Sequence, residues 1–366
     1  MGKRSRNIRT LSGSAIYERE VYECSECRHS YAPMDEEMGV LPGEKLTRAV
    51  VRKVSYASAR SSYAQASKDL KELIDVDVSP AECARVVEEE GARLERIQRE
   101  REERRLAPVS YTRPALPAEI QCEKLVLQAD ATCVLTVEGE EHKSVYCGMA
   151  FGQDSRGRKE ESNRPFITQK RYTGSAKNME DFGQRLKALA YRMGMRYAES
   201  IAFIADGARC LWKWAEDALP KDVVFIQDFW HVCEHLADLA QELYGKNWKE
   251  KFSRWKMALR ESLVDKILVE LEEEHKRRRG NLRKKVKDEI QYLQNGRERM
   301  DYARFEKEGW PIGSGAIEAT CKHLIKERFC ITGAHWRRKN IGKLLSLRLS
   351  IFNNEWDQDW KETLAA

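Results

Sequence analysis

The chain has 366 residues, 42% of them hydrophobic and 34% charged, with a formal net charge of +6. That length exceeds one ordinary domain, and the apolar share excludes wholesale disorder. No apolar run approaches the roughly 18–20 residues a membrane span needs, and no apolar stretch follows the basic start, which excludes a secretory signal.

The expectation is a protein of a reducing, cytoplasmic compartment. Its 10 Cys then read as free thiols or metal ligands, most of them small buried hydrophobes. The charge is uneven. Residues 117–240 carry 16 Lys/Arg against 19 Asp/Glu, whereas residues 241–366 carry 28 against 20. An acidic pocket beside a basic surface is the pattern of a metal-dependent nucleic-acid enzyme.

Along the chain, alternation in Ala15-Ile-Tyr-Glu-Arg-Glu-Val-Tyr-Glu23 predicts a strand leading into Cys24-Ser-Glu-Cys27, within an amino-terminal segment 1–42 closed by Leu41-Pro-Gly43. Residues 45–74 predict two helices parted near Ser61-Ser62. Ser79-Pro-Ala-Glu82 is a helix start, with Ser as cap, Pro at the first helical position and Glu reaching back. The helix it opens runs to Leu106, with a weak point at Gly91. This makes 43–116 a helix-turn-helix-like domain, ended by the Pro-rich linker Arg113-Pro-Ala-Leu-Pro117.

Strands and helices then alternate. Strands are predicted at 124–129 (ending in Asp130), 142–151, 165–172, 200–205 (ending in Asp206) and 223–226 (ending near Asp228). Helices are predicted at 179–193, 209–218 and from Trp230. The order is α/β with an antiparallel edge, over 117–240. Residues 241–308 read as helical and highly charged. Gly309-Trp-Pro-Ile-Gly-Ser-Gly315 breaks that run, and a helix from about Ala316 carries Glu318 within the last segment, 309–366.

Asp130 and Asp206 each follow an apolar strand and precede small residues. Neighbouring strands would set both carboxylates at one sheet edge, where open α/β sheets bind ligands. Adjacent carboxylates repel unless a cation lies between them, and oxygen-only ligands suit Mg2+ or Mn2+. Glu318 is the candidate third ligand, with Lys322 on the same helix face. Two ions about 3.5–4 Å apart would activate a water or 3′-hydroxyl and stabilise the leaving oxygen of a phosphodiester. The gap from Asp206 to Glu318 is too long for a minimal fold, and the helical block 241–308 fills it as an insertion.

This order resembles the DDE transposases of bacterial insertion sequences. More narrowly it resembles the Kra-four insertion-sequence family, with looser kinship to Mutator-like elements. The resemblance rests on Ala129-Asp-Ala-Thr132, Ile204-Ala-Asp-Gly-Ala208, Asp228-Phe-Trp-His231 and, most specifically, Trp310-Pro-Ile-Gly-Ser-Gly-Ala-Ile-Glu318. It implies a ribonuclease-H-like core with an all-helical insertion before the glutamate, and a triad of Asp130, Asp206 and Glu318 holding two Mg2+ ions. It also implies cleavage at element ends to free a 3′-hydroxyl, attack of that hydroxyl on target DNA, and work as a homo-oligomer near the bacterial nucleoid. Asp228-x-x-His231 resembles an accessory element of such families. Physically, Asp228 and His231 either orient each other by a hydrogen bond or mark a capped helix start.

Cys24 and Cys27, with His29 nearby, form half a zinc ribbon. Related transposases pair it with an upstream Cys pair, but none of the 23 residues before Cys24 is Cys or His. Either the chain is amino-terminally shortened, or His29 and another residue complete a Zn2+ site, or no metal binds. The helix from Pro80 carries Glu82, Glu88, Glu89 and Glu90 and is a poor phosphate reader. Better DNA contacts are Arg277, Arg278, Arg279, Lys284, Lys285, Lys322, Lys326, Arg337, Arg338 and Lys339, with basic runs as solvated helix faces the plain alternative. All 9 Trp lie at or after Trp212, among these basic residues, as stacking platforms or as core.

A tyrosine recombinase fails because no Tyr follows His335-Trp-Arg-Arg338, and a P-loop ATPase fails for want of its glycine-rich motif. Two readings remain beside the transposase: a ribonuclease-H-like nuclease without strand transfer, and a shortened or domesticated transposase acting as a DNA-binding or assembly protein.

Overall fold

The computed structural model describes residues 2–38, 40, 45–139, 142–160 and 165–365; the break expected at Leu41-Pro-Gly43 lies outside them. In chain order the elements are β1 (Gly2–Thr10), β2 (Gly13–Glu23), β3 (Ser30–Tyr31), α1 (Pro33–Glu37), α2 (Arg48–Arg60), α3 (Tyr63–Ile74) and α4 (Pro80–Leu106). Then come β4 (Lys124–Leu135), β5 (His142–Gly152), β6 (Arg156–Arg158), β7 (Pro165–Ile167), β8 (Lys170–Ser175), α5 (Met179–Arg192), β9 (Ser200–Ala205), α6 (Arg209–Ala218) and β10 (Val224–Gln227). The remainder is helical: α7 (Phe229–Tyr244), α8 (Trp248–Arg260), α9 (Val264–Arg277), α10 (Gly280–Gly296), α11 (Tyr302–Lys307), α12 (Gly315–Thr320), a π-helical turn Cys321–Lys326, α13 (Glu327–Phe329), α14 (Arg338–Phe352) and α15 (Trp356–Ala365). No described helix is long and apolar enough to cross a membrane.

Two compact units emerge. The first joins Met1–Glu100, Leu135–Glu141 and Lys326–Ala366; the second joins Arg101–Val134 and His142–Ile325. The segment 309–366, expected to complete the α/β core, is therefore divided, with its last part grouped with the amino-terminal helices. Their partners explain why. The guanidinium of Arg328 is buried against the rings of Tyr63 and Trp336 and donates to the Ser58 carbonyl at 2.9 Å, and Arg348 donates to the Ala59 carbonyl. Likewise residues 1–42 do not stand apart from 43–116. The Arg9 N–H donates to the Lys45 carbonyl at 2.8 Å, and Thr47 N–H to the Arg9 carbonyl at 3.0 Å.

In the first unit, β1 and β2 form a long antiparallel hairpin, with β3 added to β2. β1 was not foreseen, because its run of charged residues has no apolar alternation and only Ile8 is buried. The two predicted helices match α2 and α3, whose apolar faces bury Val50, Val54 and Leu70 with Val86 of α4. Ser79 Oγ accepts the Glu82 N–H at 3.1 Å, as a cap should, but the Glu82 carboxylate takes Arg9 at 2.8 Å instead of reaching back. Gly91 does not weaken α4, which is continuous. A Cβ there would stand 2.5 Å from the Lys343 carbonyl oxygen, so α14 crosses at a point only glycine permits. Part of the acidic face of α4 turns inward: buried Glu90 takes a forked pair of bonds from Arg48 at 2.6 and 2.8 Å, and Glu88 accepts from Asn340 at 2.6 Å, while Glu89 pairs with Arg85 on the surface.

The second unit is α/β, with a mixed five-stranded sheet in the order β10-β9-β4-β5-β8. β9 runs parallel to both β10 and β4, while β5 and β8 pair antiparallel. α5 and α6 bury Phe182, Leu186 and Leu211 against Leu125, Leu127 and Phe203 of the sheet. Two strand predictions are corrected. The strand at 124 does not end at Asp130 but continues to Leu135, because Thr132, Cys133 and Val134 suit an extended backbone and Leu135 accepts the Trp336 N–H at 3.0 Å. The stretch 165–172 is split between β7, paired with β6, and β8, paired with β5. At the break, Thr168 N–H donates to the Ser155 carbonyl at 3.1 Å. The block 241–308 is helical as expected, with α8, α9 and α10 following the end of α7.

Candidate active site

The parallel strands set up the site by register. Ala129 of β4 lies opposite Ala205 of β9, which lies opposite Gln227 of β10. The next residue on each chain is an aspartate: Asp130, Asp206 and Asp228. Three carboxylates thus follow one row at the carboxyl edge of the parallel strands, the edge where open α/β sheets bind ligands.

The three are used differently. Asp206, half-buried, accepts the Ala208 N–H at 3.0 Å, which shapes the turn into α6. Asp130, also half-buried, accepts the Ala131 N–H at 2.6 Å and meets the thiol of Cys321. Asp228 is wholly buried. Its Oδ1 accepts the N–H of Trp230 and, at 2.8 Å, of His231, so it caps α7; its Oδ2 accepts the N–H of Ser314. Of the two roles open to Asp228, the structure displays the cap. His231 enters through its backbone, and its ring lies 3.7 Å from Glu234 and edge-on to His235.

Ser314 carries the arrangement onward. Its hydroxyl donates to Glu318 Oε1 at 3.1 Å, and the Ser314 carbonyl accepts the Ile317 N–H at 2.8 Å, opening α12. The loop before it is held from strand β4 and from the start of α7. Gln128 donates to the Gly313 carbonyl at 3.2 Å, and Phe229 N–H donates to the Ile312 carbonyl at 2.9 Å. Gly313 is required by proximity: a Cβ would stand 2.8 Å from the Trp230 ring.

The electrostatics follow. The Glu318 carboxyl is raised from its ordinary 4.5, first by partial burial and then by the negative charges of Asp228 and Asp130, against the lowering bond from Ser314. Glu318 therefore shares a field with Asp130 and Asp228. No group of three His, Cys, Asp or Glu side chains among the described residues is placed to hold a metal ion as it stands. The donor chemistry nonetheless fits a divalent cation: all oxygen, all acidic and mutually repelling without one.

Beside Asp206 lies a feature the sequence did not disclose. The ring of Tyr292 packs over Gly207 and stacks on His235 at 4.3 Å, and His235 Nδ1 is 3.2 Å from Glu289. Glu289 is buried and raises the His235 pKa above 6.5, its hydrogen bond being the largest cause. Burial pushes the Tyr292 phenol up. The only sequence signal is helical spacing of His231 and His235. Cys147 and Cys321 are both buried in contact, which raises the Cys321 thiol strongly; this is the inert environment of a structural cysteine.

The other predicted residues are scattered. In the amino-terminal turn, Arg28 N–H donates to the Cys24 carbonyl and Cys24 N–H to the His29 carbonyl, both at 2.9 Å. The backbone N–H groups of Cys27 and Glu26 lower the exposed Cys24 thiol, as suits a thiolate, but no third acidic, Cys or His ligand joins Cys24 and Cys27 among the described residues. Of the basic residues, Arg277, Arg278 and Lys285 are engaged with Glu273, Glu274 and Glu242, while Arg279, Lys284, Lys322, Lys326, Arg337, Arg338 and Lys339 keep exposed side chains. Trp212, Trp255, Trp310 and Trp336 are buried as core, and Trp230 is exposed with Lys256 4.5 Å from its ring centre. Comparison of the chain with protein-family models and with curated proteins returns no match.

Proposed function

We propose that this protein is a DDE transposase that cleaves DNA at element ends and joins the freed 3′-hydroxyl to target DNA. On this reading the mixed sheet is a ribonuclease-H-like core, and α8 to α11 are the helical insertion before the catalytic glutamate. The observation that carries it is the single row of aspartates just past the paired ends of β4, β9 and β10, with Glu318 brought into the field of Asp130 by a buried tether.

Asp130, Asp206 and Glu318 would hold the divalent ions. Bound there, Mg2+ or Mn2+ supplies charge neutralisation of the phosphodiester and a lowered pKa for the attacking hydroxyl. The chain's own residues do the positioning. Asp228 and Ser314 fix the start of α12, so Glu318 would have little conformational freedom to lose on taking up an ion. The exposed Lys322 and Lys326 lie on the turn after Glu318, suited to DNA phosphates.

The test is incubation of the full chain with candidate element-end duplexes and Mn2+, mapping nicks to the nucleotide. Nicks at element boundaries that leave a 3′-hydroxyl are expected. Cleavage without joining would favour a nuclease lacking strand transfer, and binding without cleavage a DNA-assembly protein.

A further inference from the structure

We propose that the first unit holds a separate site for one unpaired nucleotide of single-stranded DNA, in the cleft between α2 and the turn joining α14 to α15. The cleft has a volume of about 370 Å3 and is lined by Arg52, Lys53, Tyr56, Ile351, Asn354 and Trp356, with Asp357 at its side. That volume is in the range of small-ligand sites.

Its lining combines two chemistries. Tyr56 and Trp356 meet edge to face at 5.3 Å, and Trp356 is backed by Trp360 at 6.0 Å, so the aromatic wall is braced before any ligand arrives. Arg52 and Lys53 supply the charge. α2 carries a stripe of basic and aromatic residues one turn apart: Arg48, Arg52, Tyr56 and Arg60. Arg48 is used internally, paired with buried Glu90 and lying 4.7 Å over Trp360. Arg52 is not. Its ion-pair partner is Asp357, whose side chain is 82% exposed, and its Nε has no partner among the described residues. Lys53 is exposed and has no ion pair among the described residues.

An exposed carboxylate is a weak, replaceable partner. A phosphate offers Arg52 the same geometry and draws on Lys53 as well. Asn354, in the left-handed conformation at φ 61°, brings an amide with both donors and an acceptor to the same cleft, the equipment for a base edge. Aromatic faces beside cations are how unpaired nucleotides are held, whereas an acidic peptide would use the cations and leave the aromatic wall idle. The cleft is built from the first unit alone and the carboxylate row from the second, so the assignment does not depend on the enzymatic reading.

The experiment is fluorescence anisotropy of labelled hexathymidylate with the full chain, over a range of salt. Trp356→Ala is expected to weaken binding about tenfold or more. Lys53→Ala, a surface change that leaves the fold alone, should lower the salt slope by about 0.7. Asp357→Asn should tighten binding by removing the competing carboxylate. An abasic hexamer should bind about tenfold more weakly than hexathymidylate. Unchanged affinity in Lys53→Ala, equal binding of the abasic strand, or full competition by a hexaglutamate peptide would each overturn the assignment. Asp130→Asn should bind hexathymidylate normally, so loss of the cleft and loss of the active site are told apart.

Discussion

The buried carboxylate of Asp228 accepts the backbone N–H of Ser314, joining the end of β10 to the start of α12 across the whole helical insertion. This bond ties a sheet edge to the helix that carries Glu318. An acidic side chain thereby does structural service in the same row in which Asp130 and Asp206 stand.

Replacing Asp228 should therefore cost stability as well as any activity. Asp228→Ala strips an N-cap and leaves three backbone N–H groups without an acceptor, a loss of about 2–4 kcal/mol. Asp228→Asn keeps one oxygen and should lose less. Urea unfolding of the two variants orders them, and an Ala variant as stable as the parent would show the tether to be idle.

The proposed function predicts that Asp130, Asp206 and Glu318 fail together. Asp130→Asn, Asp206→Asn and Glu318→Gln should each lower Mn2+-dependent nicking by about a hundredfold or more, with DNA binding retained. Near-parental cleavage by any one of them removes that residue from the active site.

Glu318 has its pKa raised, so its ionised form is disfavoured in the folded chain. That penalty is absent below about pH 4.5, grows as pH rises through the raised value, and is complete above it. In EDTA, Glu318→Gln should melt higher than the parent at neutral pH, with the gap closing in acid. Adding Mg2+ should raise the melting temperature of the parent more than that of the variant. A gap independent of pH counts against the charge argument.

His235 gains from Glu289 in the opposite pH range. Its pKa is raised above 6.5, so the stability this pair contributes is fully present below pH 6.5 and is lost as pH rises through the folded value. Glu234 and Asp238 on α7 reinforce the same direction, against burial. Glu289→Gln should thus be most destabilising near about pH 6 and least above about pH 8. Ring-proton NMR of His235 should show its midpoint falling in the variant.

Gly91 sits inside a helix, where alanine ordinarily stabilises by about 1 kcal/mol. Here the added methyl meets the Lys343 backbone oxygen. Gly91→Ala should instead destabilise by about 1–3 kcal/mol, measured by urea unfolding. A more stable variant would mean that α14 yields.

The sequence by itself determined the elements whose signal is local. Ser200–Ala205 and Arg209–Ala218 fall where the apolar run and the helical period put them, and Ser79 caps α4 as its type dictates. It also offered Asp130, Asp206 and Glu318 as a candidate set from expected boundaries, one of which, at Asp130, β4 runs past. Only the tertiary structure decided register and partnership. That β4, β9 and β10 align Asp130, Asp206 and Asp228 in one row depends on pairing between distant segments, and no local pattern encodes it. That Asp228 faces three backbone amides, that Gly91 marks a helix crossing, and that residues 326–366 return to the amino-terminal helices have the same cause. A side chain's chemistry is set by its type, but its partner is set by whichever distant segment packing brings against it.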